Sequence, residues 1–308
     1  MNSNQKTGSS LIESRSIGLG TQIGAFAVVE PAAVIGQDCH IESHAIVRDR
    51  AKLGNRVMIG PGVLVGSNTF IEDDVIIGAH ASVADRNGSR STTIIRRGVT
   101  LGANVAVLEG VTIGERASIG PGSVVTRDVP RLAIVTGNPA AIVGYLGTLS
   151  ASPETAADRT PSSPGKKTTQ VSGVTLHRLP AAADMRGQLS YAETGKIVPF
   201  EVKRFFLVYG VANQEVRGEH AHRKLHQFLI CVHGRCNVIC DDGHRREEFL
   251  LDDPTIGLHL PPLVWAIQYK HSSEAVLLVL ASDVYDPNDY IREYSDFLDA
   301  LKRHDPGQ

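Results

Sequence analysis

Stepping by six residues from Ile17 meets Ile23, Val29, Ile35, Ile41, Val47, Leu53, Ile59, Val65, Ile71, Ile77, Val83, Ser89, Ile95, Leu101, Val107, Ile113, Ile119 and Val125. Eighteen of these 19 positions are aliphatic, and glycine follows directly in ten of them. Four residues after each comes a small or β-branched residue, with Asn87 the exception. Neither the helical period of 3.6 nor strand alternation produces this run. A period of six fits a solenoid of flat triangular coils, with one inward aliphatic per short strand and glycine easing the corners. Three hexads close a coil of about 18 residues, so the run predicts about six coils stacked about 4.8 Å apart. A narrow prism has no room for large rings. Residues 1–147 hold three aromatics, Phe26, Phe70 and Tyr145, and the remaining 161 residues hold 13. This split predicts two domains with unlike cores.

The hexads resemble the left-handed parallel β-helix of hexapeptide-repeat acyltransferases. The segment GVTIGERASIGPGSVVTRDVPRLAIVTGNPAAIVGYL (110–146) resembles the closing coils of the coenzyme A-dependent members. The resemblance implies acetyl-CoA as co-substrate, held by Gly102, Ala103, Gly120, Gly137, Asn138, Pro139 and Ala140, and it implies a trimer. Residues 84–94, ADRNGSRSTTI, break the pattern and predict a loop leaving the coil. The matching loop of nucleotide-sugar N-acetyltransferases carries N-D-x-x-P-R-S. Here Arg90 and Ser91 match, while Asp85, Arg86 and Ser89 depart from it. The resemblance points to Asp85 and His44 for acetyl transfer and to Arg90 for substrate binding. His44 and His80 lie 36 residues apart, two coils, and so share one corner column. A corner histidine is either a solvated turn residue or a group that polarises the acceptor amine. Zinc held by His40, His44 and His80 is the rival reading, which their single-chain spacing disfavours.

Residues 148–173 are rich in Ser, Thr, Pro, Ala and Gly, and predict a flexible tether. From 174 onward, short apolar strands alternate with turn signals, including Asp242-Gly243. This predicts a small jelly-roll barrel of the cupin type. Tyr290, Ile291, Tyr294, Phe297, Leu298 and Leu301 carry helical spacing and predict a terminal helix. The expected fold class is therefore all-β: a left-handed parallel β-helix (17–147) after a tail (1–16), a linker (148–173), and a cupin barrel with a C-terminal helix (174–308).

In the barrel, Arg217-Gly218-Glu219-His220-Ala221-His222 places two imidazoles on one strand face. Metal cupins extend such a pair with a downstream carboxylate and a further histidine. Here those places hold His226 or Gln227, and Ala266, so no metal is expected. RGEHAHRKLHQFLICVHG, IGLHLPPLVWAIQYK and AVLLVLASDVYDPNDYIR together resemble the cupin sugar 3,4-ketoisomerases acting on dTDP-4-keto-6-deoxyglucose. That resemblance assigns His222 as base at carbon 3, with His220 as its proton-handling partner. It makes Arg217 and Arg204 candidates for the diphosphate, with Tyr209, Trp265, Gln268 and Lys270 as further substrate contacts.

A formal net charge of −2 gives no reason to expect nucleic acid or an anionic membrane as partner. No apolar run reaches the roughly 18 residues of a membrane span. The start MNSNQKTGSS lacks an apolar core, and Cys39, Cys231, Cys236 and Cys240 form no dense disulfide pattern. These features predict a cytoplasmic chain with reduced thiols. The joint expectation is a bifunctional enzyme taking dTDP-sugars and coenzyme A. Trimeric β-helices and dimeric cupins would close as a hexamer. The alternatives are a monofunctional isomerase on a β-helical scaffold and a non-catalytic sugar-binding protein.

Overall fold

The computed structural model describes residues 5–6, 10–83, 91–148, 161–185, 187–212 and 215–304. The chain divides into two compact units, Met1–Leu146 and Gly147–Gln308.

The first unit is a β-solenoid. Its strands, most of two residues, pair in parallel with the strand one coil on, and form sheets of nine, seven and six strands. The inward hexad positions from Ile23 to Val125 are at most 4% exposed wherever they are described. The residues four places on, such as Ala27, Val57 and Val105, are buried with them. One aliphatic and one small side chain per strand thus fill the prism. The register normally steps by 18, as in Ile59 opposite Ile77. Across the polar interruption it steps by 24, with Ile71 opposite Ile95 and Ile77 opposite Leu101. The turn of chain that spans the interruption is therefore one hexad longer than the others.

The coils begin earlier than expected. Gln5–Lys6 pairs with Gln22–Ile23, and Leu11–Ile12 pairs with Val28–Val29, so residues 1–16 are not simply a tail. The step from Ile12 to Val29 is 17, one short of a full coil, and this shifts the hexad phase so that stepping back from Ile17 misses it.

The corner column runs Phe26, His44, Gly62, His80, Asn104, Gly122, all at positive φ. Each successive amide donates to the coil before it: His44 N–H to Ala25 O, Gly62 to Ser43, His80 to Pro61 and Asn104 to Ala79. At the same corner, a Cβ on Gly102 would lie 2.6 Å from the Pro121 nitrogen, so stacking alone demands glycine there. Ala133–Gly137 continues one face beside Ser118–Ile119, then Ala140–Tyr145 returns antiparallel, with Asn138 and Pro139 at the turn.

The second unit is a barrel of two sheets. One runs Gly165–Thr168, Thr175–Arg178, Ile256–Leu260, Gln227–His233, Val276–Ala281, Arg204–Tyr209. The other runs Arg246–Leu251, Cys236–Asp241, Trp265–Tyr269, Arg217–His222, Tyr290–Ile291. Leu229, Val238, Phe249, Leu258 and Val279 interdigitate between them. The helix Tyr294–His304 sets Tyr294 and Phe297 against Trp265 on the outside of the second sheet.

Two boundaries differ from expectation. Gly165–Thr168, placed in the tether by composition, is an edge strand paired with Thr175–Arg178. All four of its residues are exposed, so its pairing rests on backbone groups and leaves no apolar pattern to read. The helix starts at Tyr294, because Tyr290–Ile291 is spent on pairing with Ala221 and His222.

The inward rule predicts a sharp contrast between neighbours. Ile77→Ala should destabilise the solenoid by about 2–5 kcal/mol, read from guanidinium unfolding. Ile76→Ala, on the outer face, should cost within about 0.5 kcal/mol.

Candidate active site

The Arg217–His222 strand owes its geometry to a bulge. Gly218 opposes Ile267 and His220 opposes Ala266, leaving Glu219 as the extra residue. Gly218 and Glu219 both take positive φ, and a Cβ on Gly218 would lie 2.6 Å from the Ala266 carbonyl oxygen. Directly opposed residues share a face, so Arg217 sits with Gln268, and His220 with Ala266. The bulge thus puts His220 and His222 on the cavity-lining face, while Arg217, at the start of the strand, is exposed. A cavity there is lined by His220, His222, Gln227, Leu260, Val264 and Gln268, among others.

The two imidazole centroids are 5.0 Å apart and nearly perpendicular. The Tyr290 ring packs on both, at 4.9 and 4.4 Å. His220 Nδ1 lies 2.8 Å from the Gly218 carbonyl oxygen, and His222 Nδ1 lies 2.8 Å from Asp289 Oδ2. Both oxygens can only accept, so each neutral ring carries its proton on Nδ1 and keeps a lone pair on Nε2. The Gln227 side-chain amide, 3.3 Å from His222 Nε2, donates to that lone pair. His222 is 6% exposed. Burial, then the neighbouring His220, push its pKa down to about 4 against the pull of Asp289. Burial lowers His220 too, with Arg292 adding to it. At neutral pH both rings are therefore uncharged bases.

Arg204 adds a cation beside this pair. Its charge also depresses His222, its guanidinium lies 5.5 Å from the Tyr285 ring, and its buried Nε has no hydrogen-bond partner among the described residues. Arg292 lies 4.6 Å over the Tyr290 ring.

Of the expected contacts, the fold brings His220, His222 and Gln268 to one cavity, with Arg204 beside His222 and Arg217 at the Gln268 end. It does not bring Tyr209, Trp265 or Lys270 there. Tyr209 alternates outward on its strand and is 70% exposed. Trp265, one place before the inward Ala266, faces the helix. Lys270 contacts the buried Glu248 at 3.4 Å, whose carboxylate also accepts from Asn237 and Tyr269. In the solenoid, the His44 ring packs tilted against Phe26, with centroids 5.2 Å apart. Asp85 and Arg90 lie outside the described residues. Gly102 and Gly120 stand on successive coils, Ala103 accepts from the Gly122 amide, and Gly137 to Ala140 form the closing turn. Among the described residues no group of three or more His, Cys, Asp or Glu is placed to hold a metal.

The sequence assigns no site role to Asp289, Gln227 or Tyr290. Asp289 joins His222 across 67 positions through a strand of two residues, and no local pattern announces it.

The C-terminal unit matches the family model "FdtA: WxcM-like, C-terminal" over residues 172–302. The TDP-4-oxo-6-deoxy-α-D-glucose-3,4-oxoisomerase of Aneurinibacillus thermoaerophilus is 46% identical over 114 residues, 37% of this chain and 82% of that protein. The chain belongs to the WxcM-like family. Its solenoid matches "Bacterial transferase hexapeptide (six repeats)" over 92–127 and "Hexapeptide repeat of succinyl-transferase" over 68–108. Among solved structures, a mutant of the 3,4-ketoisomerase QdtA from Thermoanaerobacterium thermosaccharolyticum, in complex with TDP-4-keto-6-deoxyglucose, is 36% identical. That match covers 44% of this chain and 97% of QdtA with a TM-score of 0.43. A mutant perosamine N-acetyltransferase from Caulobacter crescentus, in complex with CoA and GDP-perosamine, is 25% identical, covering 42% and 57% of the two chains with a TM-score of 0.38.

Outside this cavity a WxcM-like unit of this sequence carries a second histidine group. His226 Nδ1 and His259 Nε2 are 3.1 Å apart with stacked rings, and Thr175 Oγ1 links His259 to His177 at 3.5 and 2.9 Å. Burial drives His177 and His259 down to about 4. Unfolded, each ring titrates near its ordinary value of 6.5. Between those values the unfolded chain holds more protons, so stability falls as pH drops. With His222, three rings act in this window. Unfolding of this unit should be nearly independent of these rings above pH 7, then weaken from about pH 6.5 to 4 by up to about 1.4 kcal/mol per pH unit per ring. Denaturant unfolding across that range checks it, and a flat profile would contradict it.

Proposed function

We propose that the chain is a bifunctional enzyme making a dTDP-3-acetamido-3,6-dideoxyhexose. The barrel isomerises dTDP-4-keto-6-deoxyglucose to the 3-keto sugar. The observation that carries this is the pair of neutral imidazoles lining one cavity, each with its proton held on Nδ1, in a family with a curated relative that is a TDP-sugar 3,4-oxoisomerase. His222 takes the proton from carbon 3. The C–H electrons form the carbon 3–carbon 4 double bond, and the carbonyl pair moves onto the carbon 4 oxygen, giving the enediol once that oxygen is protonated. His220 handles the hydroxyl proton lost from the carbon 3 oxygen, and a proton is returned to carbon 4. Arg217 and Arg204 bind the diphosphate, and Gln268 contacts the sugar or nucleotide. Tyr209, Trp265 and Lys270 point away from the cavity and have no part in this reading.

The solenoid transfers acetyl from acetyl-CoA to the 3-amino sugar that a separate aminotransferase makes. Support comes from the transferase hexapeptide models and from the closing Gly137-Asn138-Pro139-Ala140 turn. A scaffold role is favoured by one observation: the close stacking at Gly102 explains that glycine without coenzyme A. We assign the chain to the cytoplasm. We assign it a hexamer, three-fold through the solenoids and two-fold through the barrels. The outward Phe205, Leu207 and Tyr209, and the exposed Leu189 on the Gly187–Ser190 strand, support a covered barrel face.

Purified chain should convert dTDP-4-keto-6-deoxyglucose to its 3-keto isomer, and His222→Asn should lose at least about 100-fold in kcat. Unchanged isomerisation in that variant would leave only sugar binding. Incubation with acetyl-CoA and a dTDP-3-amino-3,6-dideoxyhexose should release free thiol. No release beside intact isomerisation would make the solenoid a scaffold. A light-scattering mass of one or three chains would remove the hexamer.

A further inference from the structure

The Asp289 carboxylate is held independently of the histidine it touches. Its Oδ1 accepts from the Lys224 amide at 2.8 Å, and its own carbonyl accepts from the Arg223 amide at 2.9 Å. The preceding turn Pro287–Asp289 is capped by Asp286, whose side chain accepts from the Asn288 amide. Asp289 Oδ2 is left aimed at His222 Nδ1, 2.8 Å away, with both side chains nearly buried. The other groups facing His222 are His220, Tyr290, the Gln227 amide and the Arg204 guanidinium. None of these takes a proton from Nδ1.

We infer that Asp289 is a positioning residue that sets the tautomer of His222, holding the proton on Nδ1 so that Nε2 is the base. This rests on the isomerase reading above. It goes beyond that reading by naming what makes one of two similar imidazoles competent. The carboxylate also favours the imidazolium that forms when Nε2 takes the substrate proton, and does so at the moment charge develops. His220 has only a neutral carbonyl behind Nδ1, so its imidazolium gains less. The two rings differ in their backing, and that difference makes His222 the stronger base once substrate is bound.

The local geometry dictates what Asp289→Asn does. The Lys224 amide still needs an acceptor, so the asparagine oxygen stays at the Oδ1 place and its NH2 faces His222. Nδ1 must then accept, the ring proton moves to Nε2, and the cavity loses its lone pair. In the full chain, ¹⁵N NMR of the histidine rings should show His222 protonated on Nδ1 in the wild type and on Nε2 in Asp289→Asn, with His220 unchanged. Isomerisation should fall at least about 100-fold in kcat while KM moves within about three-fold. Asp289→Ala gives a second route. It should lose activity, and added formate should restore part of it by filling the vacated carboxylate place.

An unchanged His222 tautomer in folded Asp289→Asn overturns the inference. So does wild-type kcat in both variants. If wild type lacks isomerase activity but the tautomer still switches, the positioning role stands and the isomerase reading falls. If Asp289→Asn does not fold, the Asp289→Ala formate rescue decides alone, and absence of rescue in folded protein counts against the inference.

Discussion

A strand offers each side chain one of two faces, and backbone pairing decides which. Both units rest on that constraint. In the solenoid, parallel pairing repeats one choice at every coil, so each inward position stays inward over the whole described run. In the barrel, antiparallel pairing makes the choice alternate, and a single bulge at Glu219 resets it. In an unbulged ladder of the same sequence, Glu219 would oppose Ala266, and the histidines would fall on the face opposite to Gln268.

Burial then supplies the chemistry. Two imidazoles in a closed barrel lose water, and desolvation outweighs the nearby carboxylate at His222. The result is a pair of bases at neutral pH. The same penalty acts on the His177, His226 and His259 group, where the outcome is acid sensitivity. One physical effect thus gives a site in one place and a stability limit in another. What separates them is the surroundings: His220 and His222 line a cavity, whereas His226 and His259 hydrogen-bond to each other.

Much of this was legible in the residues. Period six exposed the prism because its core uses one aliphatic per strand, with no long-range choice to make. The histidine pair was legible because alternation placed both on one face. The misplacements have physical reasons. Tyr209 and Trp265 carry the chemistry of a binding residue, but the registers of their own strands turn them outward. Lys270 is drawn to Glu248, which lies 22 residues away in sequence. The first coil was hidden by one missing residue, and the Gly165–Thr168 strand by having no buried side chain.

By itself, then, the sequence determined the period, the inward aliphatics, the two-unit division and the identity of the paired imidazoles, because each follows from spacing along a strand. Only the tertiary structure decided which ring is backed by a carboxylate and which glycines stack against backbone. It also decided which apparent ligand residues face solvent or helix. Those facts depend on what another strand brings alongside, as Tyr290–Ile291 brings Asp289 to His222. Spacing within one segment carries no record of its partner.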